Sequence, residues 1–140
     1  MTMMEDLRAD LIREEGCILH VYDDHLGFAT LGVGRLVDER RGGGISHEEA
    51  MMLLDNDITR VSRDLTARLP QFRLYPEIVR RALLSMAFQL GISGLLAFKN
   101  MIAALDREDY QAAATAALAS KWSRQTPARA ERTAALIREG

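Results

Sequence analysis

Apolar residues return at Leu7, Leu11 and Ile12 with the spacing of one helix face, and Gly16 follows where a helix C-terminus favours a left-handed residue. The spacing predicts a first helix from Met3 that ends at Glu14 or Glu15. In the following HVYDDHLGFATLGVGR the pattern shortens to alternation, with β-branched and aromatic residues and glycines at 27, 32 and 34. It predicts a small antiparallel hairpin or two, too little strand to stand alone. RRGGG at 40–44 reads as a turn. Ser46 then opens a capping box with Glu49, and Ala50, Leu53, Leu54, Ile58, Val61 and Leu65 trace one stripe, predicting a long helix over about 47–67.

Leu69-Pro70 and Tyr75-Pro76 frame a loop, after which EIVRRALLSMAFQLG is apolar on most sides and closed by Gly91. That is the pattern of a central, most buried helix. Shorter helices are expected at about 93–105 and 109–119, and Thr126-Pro127 supplies an N-cap and first-turn proline for a last helix to about 138. The order predicts an α+β, mainly helical fold with a small antiparallel sheet.

Composition agrees with one globular domain: 140 residues, 48% hydrophobic and 27% charged. No apolar run approaches the roughly 18 residues of a membrane span, so no membrane insertion is expected. MTMMEDLRAD carries acids where a secretory signal needs a basic stretch, so synthesis in the cytoplasm without a signal peptide is expected. The single cysteine, Cys17, excludes an intrachain disulfide and cannot form a structural zinc site with His20, His25 and His47, so no metal is expected. Its neighbours Ile18 and Leu19 suggest a buried or half-buried structural thiol. Net charge is -2, yet residues 1–70 carry 8 Lys/Arg against 14 Asp/Glu (-6) and residues 71–140 carry 10 against 6 (+4). A basic second half suits attraction of an anionic polymer, or is simply a solvated surface.

Glycoside hydrolysis needs an acid for the leaving oxygen and a carboxylate that activates water or steadies positive charge. Glu15 ends the first helix, where the negative pole of the helix dipole favours its neutral form. Asp24 lies nine residues on, at the edge of the predicted sheet, where a polar turn would leave it ionised. Thr30 falls on the second strand, placed to orient a water or a sugar hydroxyl. Read this way alone, Glu14 and Asp23 compete equally well, because two carboxylates flanking a glycine turn are most often solvated surface.

The stretch EEGCILHVYDDHLGFATLGVGR resembles the active-site segment of the phage-type lysozymes, the muramidases of the T-even bacteriophage lysozyme family: E-G, then Y-x-D, a glycine turn, and T-x-G-x-G-H. Here it reads Glu15-Gly16, Tyr22-Asp23-Asp24, Gly27 and Thr30-Leu31-Gly32-Val33-Gly34. VRRALLSMAFQLG resembles the family's buried central helix with its cleft-lining Phe88-Gln89 pair, and SKWSRQTPARAER its second diagnostic segment; the resemblance runs from about Met4 to Arg138. It implies a two-lobed lysozyme: a small sheet lobe over about 16–45, an interlobe helix over about 47–67, and a helical lobe of about 68–140 plus 1–15.

The resemblance chooses Glu15, Asp24 and Thr30 as catalytic residues. It implies Phe88, Gln89, Lys121, Gln125 and Thr126 as substrate-binding residues, and Arg129 as the partner of Glu15, where charge pairing would oppose the helix-end effect. Arg132 is as well explained as a plain surface arginine, and Trp122 as core rather than a sugar platform. The implied reaction is hydrolysis of the β-1,4 bond between N-acetylmuramic acid and N-acetylglucosamine, with inversion. No cofactor is expected. The implied partner is the peptidoglycan glycan strand, met by a monomer, with a holin involved only indirectly, for release to the cell wall.

Two features depart from the family pattern. Its G-x-G-H ends here in Arg35, and since the family's histidine pairs with an acid on the next helix, Arg35 is expected to bridge to Asp57. Residues 35–45 and the C-terminal stretch are shorter than in the longest members, predicting a trimmed small lobe and modest stability. Three rivals remain. A lytic transglycosylase manages with one carboxylate, so Asp24 and Thr30 argue against it. A non-catalytic wall-binding module is disfavoured by the retained Glu15. Nucleic-acid binding is disfavoured by the net charge of -2 and the lack of a basic-aromatic stripe.

Overall fold

In the computed structural model the described residues are Thr2–Asp23, 26–27, 29–32, 35–36 and 43–140; for Met3, Glu15, Leu19, His20 and Arg35 the backbone alone is described. The chain divides into two compact units, Met1–Leu53 and Leu54–Gly140.

In the first unit, α1 (Met3–Glu15) opens with a capping box that the apolar pattern did not reveal. The Thr2 hydroxyl accepts the Glu5 N–H (3.1 Å) and the Glu5 carboxylate accepts the Thr2 N–H (2.8 Å), satisfying two donors that a helix start leaves orphaned. The helix ends as expected at Glu15, where the Gly16 N–H bonds the Ile12 carbonyl at 2.8 Å. Gly16 lies at φ 76, ψ 174: positive in φ, as a glycine allows, but extended in ψ rather than the left-handed helical cap that the sequence suggested. This conformation sends the chain straight into β1 (Ile18–Asp23).

A three-stranded antiparallel sheet follows in the order β1, β2 (Ala29–Gly32), β3 (Arg35–Leu36). Ile18 faces Gly32 and Tyr22 faces Thr30, so β1 advances four residues while β2 advances two. The ladder is therefore irregular midway, which re-aims the end of β1.

Helix α2 (His47–Arg68) crosses the boundary between the units. Its predicted capping box is present, with Ser46 and Glu49 exchanging bonds of 3.1 Å each way. After a 3₁₀ turn at Pro70–Leu74 come α3 (Glu77–Leu96), α4 (Lys99–Asp106), α5 (Tyr110–Leu118), α6 (Lys121–Gln125) and α7 (Pro127–Arg138). The core of this second unit includes Val61 and Leu65 of α2, Val79, Leu83 and Met86 of α3, Met101 and Leu105 of α4, the alanines of α5, and Ile137 of α7. Helix α3 is long and apolar enough, by length and composition alone, to satisfy a membrane span, with mean hydropathy 1.2, and a third of that stretch is buried, with Val79, Ala82, Leu83, Met86, Ala87 and Leu95 in this core. It is broken at Gly91 (φ 77, ψ 164), where the sequence places its end.

Thr126 corrects one expectation. Its hydroxyl does not cap α7 but donates to the Trp122 carbonyl at 3.0 Å, while Pro127 takes the first turn. Cys17 corrects another: it is exposed rather than buried or half-buried, since an apolar sequence neighbourhood does not by itself bury a residue at the junction between α1 and β1.

Candidate active site

Glu15 is the last residue of α1, one step before the Gly16 turn and three before β1. The acid therefore stands at the helix-to-sheet junction, at the negative end of the α1 dipole. Its competitor Glu14 is solvated, with its carboxylate 3.5 Å from the Arg13 guanidinium. Thr30 is 4% exposed on β2, directly opposite Tyr22 in the register, so the two side chains share a face of the sheet. Asp23, which faces Ala29, is exposed. Asp24, the next residue, lies outside the described residues, as does the Glu15 side chain.

The second unit holds the other predicted residues. Phe88 and Gln89 lie on α3, both exposed. Lys121 and Gln125 are exposed at the two ends of α6, and Thr126 is half-buried. Arg129 on α7 donates through one guanidinium nitrogen to the Ser85 carbonyl (3.0 Å) and to its hydroxyl oxygen (3.2 Å). Its expected partner atom, on Glu15, is outside the described side chains. The expected Arg35–Asp57 pair falls outside them as well; Asp57 is engaged by Arg60 at 3.3 Å. Leu54, Ile58, Leu84 and Phe88, with Arg81 and Arg129, line a cavity of about 820 Å³ in this unit.

Trp122 is core, as expected, at 5% exposure, yet its indole N–H donates to the Gln89 Oε1 at 2.9 Å. An exposed amide and a core residue are thus coupled. Tyr75 donates its hydroxyl to Asp106 at 2.5 Å, with Gln71 on the other carboxylate oxygen at 3.4 Å. Burial raises the Tyr75 pKa well above its ordinary value, and the hydrogen bond to Asp106 and its charge add to the rise. Among the described residues no group of three or more His, Cys, Asp or Glu could hold a metal ion.

A helix ending in a glutamate, a short antiparallel sheet and a helical second unit are the parts of a mainly helical α+β fold of the lysozyme kind. The family model for phage lysozyme matches residues 12–138, and the chain belongs to that family. Over its whole length it is 30% identical to the pre-baseplate central spike protein Gp5 of Enterobacteria phage T4, of which it spans 28%. Two probable T4-type lysozymes of Dictyostelium discoideum are 23% and 24% identical, each matched over 99% of this chain and 96% of theirs.

Proposed function

We propose that this protein hydrolyses the β-1,4 bond between N-acetylmuramic acid and N-acetylglucosamine in peptidoglycan. Glu15 protonates the leaving oxygen, Asp24 activates the attacking water from the opposite face of the sugar, and Thr30 orients that water, giving inversion. Arg129 supports Glu15, while Phe88, Gln89, Lys121, Gln125 and Thr126 bind the strand. Two carboxylates suffice for this chemistry, so no cofactor takes part. The observation that carries the reading is the family match over residues 12–138, which spans both the Glu15 and the Trp122 segments.

Clearing of a purified peptidoglycan suspension by wild type, and its loss in Glu15→Gln with folding retained, is the expected result. Retained clearing would refute the assignment. Mass spectrometry of the muropeptides should show reducing ends, and anhydro ends would mean a transglycosylase instead. In setting, we propose an endolysin-like monomer that reaches the wall after release through a holin. The 30% identity to a spike protein favours a second reading, a wall-opening domain carried on a phage particle. Detecting the polypeptide in washed particles would decide for the second.

A further inference from the structure

We draw no further inference here: the strongest candidate, the cavity of about 820 Å³ in the second unit where Leu54, Ile58, Leu84 and Phe88 form an apolar wall beside Arg81 and Arg129, carries none, because nothing among the described residues shows what covers that wall, and Phe88 and Arg129 already belong to the proposed site.

Discussion

Two glycines set the backbone at positions where no other residue fits at ease. Gly16 (φ 76, ψ 174) and Gly91 (φ 77, ψ 164) both occupy the region reserved for glycine, and a Cβ at either would meet nothing within 4 Å. Any penalty for alanine is therefore conformational, not steric. Gly91→Ala should lower stability by roughly 1–3 kcal/mol in urea denaturation, and a change below roughly 0.5 kcal/mol would mean that the break in α3 relaxes freely. Carboxylate identity is a sharper matter. Glu15→Gln and Asp24→Asn should each reduce the initial rate of clearing by about 10²–10⁴, while Glu14→Gln and Asp23→Asn leave it near wild type. The choice between these pairs is invisible to residue type, because all four are acids flanking one glycine turn. Tyr75 gives a pH prediction. Its folded pKa is raised, so its contribution is complete below the unfolded value of about 10 and is lost as pH climbs above it. Tyr75→Phe should cost about 1 kcal/mol near neutrality, since the exposed Asp106 regains water, and the alkaline decline in melting temperature should become shallower.

Among the elements, legibility follows length and periodicity. Helix α1, α2 and the first part of α3 repeat their apolar spacing often enough to be read, and their ends carry local signals: Gly16, the Ser46 box, Gly91. Helix α6 (Lys121–Gln125) has no counterpart among the elements that the spacing predicts, because one turn and a half contains a single buried side chain, Trp122, and no repeat. Its N-cap Ser120 was the available signal. Threonine before proline predicts a cap at Thr126-Pro127; the structure uses that hydroxyl to close the preceding helix instead. The two capping boxes make an element-scale prediction: Thr2→Ala and Ser46→Ala should each cost about 1 kcal/mol of helix stability, read from thermal melts followed at 222 nm.

At the scale of the molecule, the charge asymmetry of -6 over residues 1–70 and +4 over 71–140 bears on capture of the wall. Clearing should slow as ionic strength rises, with the loss in apparent affinity rather than turnover, because screening shortens the reach of the basic half. The core of the second unit should behave as one cooperative body. Leu83→Ala, at a side chain with no exposure, should cost about 2–5 kcal/mol, with clearing preserved well below the melting temperature.

Local periodicity, capping residues and glycine positions sufficed to establish the helical class, the hairpin after α1 and the place of Glu15 at a helix end, since each depends on contacts within a few residues. The pairings of Trp122 with Gln89, Tyr75 with Asp106 and Arg129 with Ser85 join residues 33, 31 and 44 positions apart. Hydrogen bonds of that span have no signature in spacing, because any donor could reach any acceptor until the helices pack. Only the tertiary structure decided that a core tryptophan should hold a surface amide, and therefore which of its two faces that amide shows to water.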